Sequence, residues 1–351
     1  MDGNDTEGKP LAEKKAKKKA ADGNVTLEDI ARTLEVSKTT VSRAISGKGR
    51  IGNPTRDRIL QYIERIGYRP NIQAKGLAKR KTYNIALVWP GDYYVIDMYF
   101  FRKCLLGINR VAVAAGYDIL IALMEEGDIS ELKRIVNDKK VDGVILTRTL
   151  VQDAAAGFLA EVGMPFVAIG SSDIDGVIRV DNDHFGACRE LTMRLLKQGI
   201  RRLALVGGNP DHMITGLRRQ GYLKAFEEMK ITVDPSLIYI GMETYGGMEG
   251  IIKDLTEKQA DGVICMDDSL TSIFISKCKD LGIRIPEDMK VASFYNSPVL
   301  ELTTPAVTSL EFDDICIGAK AAEMIIDLVR GKDVKEFVSQ SYKVMWKEST
   351  I

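Results

Sequence analysis

The sequence predicts an all-helical head followed by a larger α/β core of two similar subdomains, with parallel sheets and a cleft between them. Three observations predict it. The 351 residues carry no net charge, yet Met1 to Thr82 hold 19 Lys and Arg against 10 Asp and Glu, and the remainder holds 30 against 39. The periodicity changes near Tyr83, from three short helical patterns to alternating apolar strands and amphipathic helices. Those strand–helix units are too numerous for one comfortable sheet. A basic head on an acidic body directs the head toward a polyanion. A plain solvated tail accounts for Lys14 to Lys19 but not for the patterned stretch that follows.

Residues 1–24 are polar, rich in Lys and Ala, and aperiodic, and read as a disordered basic arm. In the head, 25–69, Thr26 and Asp29 have capping-box spacing ahead of the apolar set Leu27, Ile30, Ala31 and Leu34. Glu35-Val36-Ser37 makes a tight turn with Val36 directed to the core. Ser37 caps a second helix running to about Ser46 and stopped by Gly47. Asn53 is expected to cap a third helix with Pro54 at its first position, which ends at Gly67. The second helix exposes Lys38, Thr39, Ser42 and Arg43. Arg bonds guanine in bidentate fashion from the major groove, and Thr contacts several bases. By spacing alone, a small bundle with an ordinary solvated face fits equally well.

From Tyr83 the strand candidates are Asn84–Trp89, Asp118–Ala122, Gly143–Thr147, Phe166–Ile169, Leu203–Val206, Gly262–Met266 and Lys290–Phe294. Helical stretches over Phe101–Ala115, Phe185–Lys197, Gly216–Met229, Leu270–Leu281 and Gly318–Val329 separate or follow them. Near-continuous apolar strands between helices imply sheets covered on both faces, with ligands at the carboxyl ends of the strands. The chain is expected to cross between subdomains near 170, 295–310 and 333.

The run VTLEDIARTLEVSKTTVSRAISGKGRIGNPTRDRILQYIERIGYRPNIQAKGLAKRKTYNIALVWP, Val25 to Pro90, closely resembles the start of the LacI/GalR family of bacterial transcription regulators. VSKTTVSRAISG with GYRPN is highly specific, and the likeness continues more weakly to the C-terminus. The resemblance implies a periplasmic-binding-protein-like core and a sequence-specific DNA-binding regulator, a repressor in the commoner mode, controlled by a small molecule between the core subdomains. It places Lys38 and Thr39 where the family varies its base-reading residues, and Arg43 where an arginine contacts the operator. Ser37, Thr40 and Ser42 match positions that touch phosphates or cap the helix, and Thr26 joins them at the head of the first helix. Residues 70–82 match the hinge helix and linker, with Asn71 as its cap, Ala74 against the minor groove and Leu77 as the apolar wedge. Gly76 departs from a helix-favouring sequence.

In the body, the resemblance points to Trp89, Tyr93 and Tyr94 as aromatic faces for a sugar ring; core or dimer-interface packing explains each equally well. GLRRQGY resembles an Arg-x-x-Gly segment that makes Arg218 the effector-binding arginine, its guanidinium offering fixed donors, with Arg219 facing solvent. ICMDD resembles a strand end presenting Asp267, and Arg148 is a weaker candidate. Where many members carry an Asp pair, this chain has Phe294-Tyr295-Asn296-Ser297, so Tyr295 or Asn296 stands in for the lost carboxylate. A carbohydrate effector is expected.

An enzyme and an exported sugar-binding protein are the rival readings. His184 and His212 stand apart without a nucleophile motif, no Walker loop, HExxH or GxSxG occurs, and His184 reads as a helix-start residue. An exported binder needs a signal and no DNA-binding head, whereas this chain shows the reverse. No apolar run approaches the length of a membrane span. Five scattered cysteines without a CxxC pair predict a reducing cytoplasm and neither disulfide nor zinc framework, and no cofactor is expected. One recognition helix reads few base pairs, so a homodimer on a palindromic operator is expected. No leucine heptad follows Trp346, so a tetramer built that way is not.

Overall fold

A computed structural model of the chain describes residues 25–47, 49–68, 81–92, 98–125, 127–242 and 247–351. The chain divides into two compact units, 1–81 and 82–351.

The first unit contains α1 (Leu27–Thr33), α2 (Lys38–Ser46) and α3 (Asn53–Ile66). The predicted capping box closes α1: the Asp29 amide donates to Thr26 Oγ1 at 3.2 Å, and the Thr26 amide donates to Asp29 Oδ2 at 3.0 Å. Glu35 takes a left-handed φ of 52°, which reverses the chain. Ser37 then caps α2, accepting from the Thr40 amide at 3.0 Å, and Gly47 ends it at φ 68°. The third helix begins one residue earlier than expected. Gly52 is its N-cap, and Asn53 is already helical, with Pro54 in the first turn, where its missing N–H costs nothing. Ile30, Ala31, Val41, Ala44, Ile59, Tyr62 and Ile66 form the buried core of the three helices. Arg58 Nη2 donates to the Leu34 carbonyl at 2.9 Å, fastening α3 to the end of α1.

The second unit begins with β1 (Asn84–Pro90), α4 (Tyr99–Ala115), β2 (Asp118–Met124), α5 (Ser130–Asn137), β3 (Gly143–Leu146), α6 (Ala154–Glu161), β4 (Phe166–Ile169) and β5 (Arg179–Asn182). A second series follows: α7 (His184–Lys197), β6 (Leu203–Val206), α8 (Met213–Met229), β7 (Ile238–Tyr239), α9 (Met248–Glu257), β8 (Gly262–Cys265), α10 (Asp268–Asp280), β9 (Lys290–Ser293), α11 (Pro298–Glu301) and β10 (Thr308–Phe312). The chain closes with α12 (Asp314–Val329), β11 (Phe337–Gln340) and β12 (Tyr342–Met345). The sheets run β2-β1-β3-β4-β5-β11 and β7-β6-β8-β9-β10-β12. Both are one doubly wound pattern, with an edge strand contributed from the C-terminal end. The order reverses between β1 and β3 and between β6 and β8, and such a reversal opens a crevice at the carboxyl ends. All pairings in the first sheet are parallel. The second departs from the expected parallel arrangement at one edge, where β12 runs antiparallel to β10.

The three crossings lie later than expected: at Asp183 rather than near 170, at Asp313 rather than within 295–310, and at Ser341 rather than near 333. The first displacement comes from β5, whose sequence Arg-Val-Asp-Asn carries no apolar run to mark it. The others come from β10 and β11, each with polar residues among its few apolar ones. The first sheet packs on α4 and α12, which meet at two glycines. A Cβ on Gly107 would stand 2.0 Å from the Ile315 carbonyl oxygen, and one on Gly318 would stand 2.1 Å from that of Cys104. No described helix is long and apolar enough to cross a membrane.

Candidate functional site

On the head, local capping decides which way the second helix faces. Val41 and Ala44 are buried, which turns Lys38, Thr39, Ser42 and Arg43 outward on the opposite face of α2. Lys38 lies 4.0 Å from Glu28 in an ion pair exposed on both sides, a contact of little energy that leaves the ammonium free to exchange partners. Arg43 makes no ion pair with any described residue. The Ser37 and Thr40 hydroxyls lie 2.8 Å apart, and Thr26 is engaged in its capping box. Asn71, Ala74, Gly76 and Leu77 lie outside the described residues.

In the core, a cavity of about 550 Å³ lies between the carboxyl ends of the two sheets. From the first come Asp92 after β1, Thr147 to Thr149 after β3, and Gly170 and Ser171 after β4. From the second come Gly208 and Asn209 after β6, Met266 and Asp267 after β8, and Tyr295 after β9. Both strand-order reversals therefore feed one crevice.

Arg148, Arg218, Asp267 and Tyr295 all line it. Arg148 forms a close ion pair with Asp92, and its Nη2 is buried without a partner among the described residues. Arg218, buried on α8, donates through Nη1 to the Met266 carbonyl, while its Nε has no partner among the described residues. Arg219, one position on, is exposed. Asp267 caps α10, accepting from the Leu270 amide at 2.8 Å. Loss of solvent, with a smaller contribution from the Asp268 carboxylate, pushes its carboxyl up to about 6. The Tyr295 hydroxyl donates to Asp314 Oδ2 at 2.6 Å, and burial beside that carboxylate drives its ionisation far upward, so it stays a neutral phenol.

Two expected residues fall elsewhere. Trp89 packs into the core of the first sheet, its ring 5.9 Å from Phe101, because the alternation of side chains along β1 places it on the face that α4 covers. Asn296 does not line the cavity. Its amide donates to Glu301 at 2.7 Å and its carbonyl accepts from Ser309 at 3.0 Å, which fixes the loop before α11. Tyr93 and Tyr94 lie outside the described residues.

The cavity also holds residues the sequence did not single out for it. Phe100 and Phe101 from α4, not the expected tryptophan, supply aromatic wall. Asp181 and His184 sit at its floor on either side of the first crossing, Nε2 to Oδ1 3.4 Å, with His184 Nδ1 buried and unpartnered among the described residues. His184 does start a helix, as expected. The sequence signal for its second location was Asp-Asn-Asp-His, which is legible only once β5 is known to end there.

Residues 26–71 match the family model for bacterial regulatory proteins of the lacI family, and residues 192–350 match the periplasmic binding protein-like domain. The HTH-type transcriptional regulator RegA of Clostridium saccharobutylicum is 29% identical over 334 residues, covering 93% of this chain and 99% of that protein. The regulator CelR of Thermobifida fusca is 29% identical over 315 residues, 88% of this chain and 92% of that protein. Among solved structures, a transcriptional regulator CelR–cellobiose complex superposes with a TM-score of 0.71 at 27% identity, covering 93% of this chain and 99% of its own. The lac repressor dimer bound to operator and an anti-inducer shares the fold, with a TM-score of 0.79 at 20% identity, over 93% and 99%. A helix-turn-helix head of the lacI family of bacterial regulatory proteins, with an exposed basic face, is joined to a periplasmic-binding-protein-like core, and the chain is a DNA-binding transcriptional regulator.

Proposed function

We propose that the protein is a homodimeric repressor that binds a palindromic operator in the cytoplasm and is controlled by a carbohydrate in the cavity between its core subdomains. The observation that carries the effector reading is the composition of that cavity. Phe100, Phe101, Met266 and Ile273 supply apolar wall, while Arg148 and Arg218 each bring a buried guanidinium nitrogen unpartnered among the described residues. Buried donors cost free energy unless a hydrogen-bonding group reaches them, and sugar hydroxyls above an aromatic face meet both demands. The likeness to a regulator solved with cellobiose supports the same class of ligand.

On the DNA side, Lys38, Thr39 and Arg43 read base edges, and Ser37, Thr40, Ser42 and Thr26 meet phosphates through hydroxyls or the amides they cap. Asn71, Ala74 and Leu77 act as hinge residues in the minor groove. Leu106 and Val113 on α4, with Ile121 and Leu123 on the edge strand β2, expose apolar side chains suited to a subunit interface. Operator selection from a random DNA pool, followed by titration at several salt concentrations, tests this reading. Affinity should fall steeply with salt, each neutralised phosphate adding about −0.9 to the logarithmic slope. A saccharide panel tests the core by thermal stabilisation of the full chain. A flat salt response defeats the docking account, and stabilisation by no saccharide defeats the effector account.

A further inference from the structure

Carboxylates outnumber guanidinium groups in the cavity lining. Two guanidinium groups line it, Arg148 and Arg218, against four carboxylates, Asp92, Glu125, Asp181 and Asp267. Neither cation is unmatched: Arg148 holds Asp92 in a close ion pair, and Arg218 acts on the carboxylates of Asp267 and Asp268. Helix N-termini at such a crevice ordinarily attract anions. Here two of them are already occupied by the chain's own carboxylates: Asp183 caps α7 and Asp267 caps α10. α4 and α8 also line the cleft, and each begins without a side-chain cap. The neighbouring sequence segments outside the described residues, 93–97, 126 and 243–246, contain no Lys, Arg or His.

We propose that the cavity takes an uncharged polyhydroxyl ligand and excludes phosphorylated and carboxylated sugars. This rests on the carbohydrate reading above and narrows it. The guanidinium atoms left over, Arg148 Nη2 and Arg218 Nε, are one nitrogen from each group, suited to hydroxyl oxygens and not a free two-nitrogen fork for a phosphate. Asp267 supports the same conclusion: a carboxyl already raised to about 6 by desolvation and by Asp268 stands where a further negative charge is disfavoured. An entering phosphate would meet carboxylates at short range, in surroundings where charges interact more strongly than in water. His184 and His212 also line the cavity, and His184 Nε2 already faces Asp181.

The test uses the full chain and two arms. In the first, cellobiose, maltose and lactose are each titrated beside their monophosphates by calorimetry. Binding of a neutral sugar and not of its phosphate is the expected result, and a phosphate ester that binds as well as its parent overturns the proposal. In the second arm, inorganic phosphate is titrated into the wild type, Arg148→Met, Arg218→Met and Asp92→Asn. Both methionine variants should match the wild type, since phosphate held by the basic head is common to all. Asp92→Asn releases Arg148 and should tighten phosphate binding by at least roughly tenfold. A wild-type phosphate affinity that drops on replacing either arginine shows a free cation and overturns the proposal. Where the second arm behaves as expected and no saccharide binds in either form, the carbohydrate reading fails, and the exclusion of anions stands for whichever neutral ligand the cavity takes.

Discussion

The head and the cleft are built by opposite routes. In the head, each helix carries its own start and stop, and the groups that define α1 and α2 lie within three or four residues of one another: Thr26 with Asp29, Ser37 with Thr40, Gly47 with Arg43. In the cleft, the partners are far apart in sequence. Arg148 meets Asp92 across 56 residues, Arg218 meets Met266 across 48, and Tyr295 meets Asp314 across 19. The exposed basic face of the head thus depends on local rules, whereas the cleft proposed as the ligand site exists only when two sheets and their crossings are in place. Substitutions in the cleft should therefore couple binding to core stability, and those on the head should not.

The strongest test of that contrast is Gly318→Ala. A methyl 2.1 Å from the Cys104 carbonyl oxygen forces α4 and α12 apart, elements some 200 residues apart in sequence but one layer in the fold. A loss of about 3 kcal/mol or more in core stability is expected, since an overpacked backbone contact cannot relax by a side-chain rotation. Chemical unfolding of the full chain measures it, and an unchanged midpoint would break the picture of a core fixed by that close crossing.

Arg218→Ala comes next. It removes a buried donor and leaves Asp267 and Asp268 without their cation, so saccharide binding should weaken by roughly two orders of magnitude, or about 3 kcal/mol. Operator affinity without ligand should stay within about threefold of the wild type. Equal losses in both measurements would show that Arg218 holds the core together and does not read the ligand.

On the head, Arg43→Ala should cost about 1–3 kcal/mol at the operator and relax specificity at one base position. Titration against operator and random DNA separates base reading from phosphate contact, since equal losses on both would indicate the latter. Thr26→Ala should destabilise the head by about 1 kcal/mol through loss of its cap, with the core transition unmoved. A shift of the core transition in that variant would mean that the two units are not independent in stability.

A separate test of the cleft concerns pH. The Asp267 carboxyl lies at about 6 in the fold against an ordinary 3.8. The folded state therefore binds this proton more readily than the unfolded chain. The group favours the fold fully below the ordinary value, and that contribution is lost as pH rises through about 6. Melting curves between about pH 4 and 7 should fall less steeply for Asp267→Asn than for the wild type. Parallel curves would place its titration outside that window.

The helices of the head could be read from local signals almost to the residue. The one slip, reading Asn53 as the cap instead of Gly52, is a shift of one position in a segment where Asn, Pro and Gly all favour a helix start. The apolar strands of the core were equally legible, and the family resemblance pointed to the segments of Arg218 and Asp267, both of which line the cavity. Tertiary structure alone decided what surrounds them. Trp89 and Asn296 have the right chemistry for a sugar site, but one is turned into the core and the other is held within its loop. Asp181 and His184 became cavity residues only because β5, a four-residue strand without an apolar run, ends beside the first crossing, and Asp92 because β1 ends at the same crevice. Hydrophobic periodicity records which side chains leave water, and capping records where a helix begins. Neither records which distant strand ends share a crevice. That depends on strand order and on where the chain changes sheets, and both are settled by packing between segments that are not neighbours in sequence.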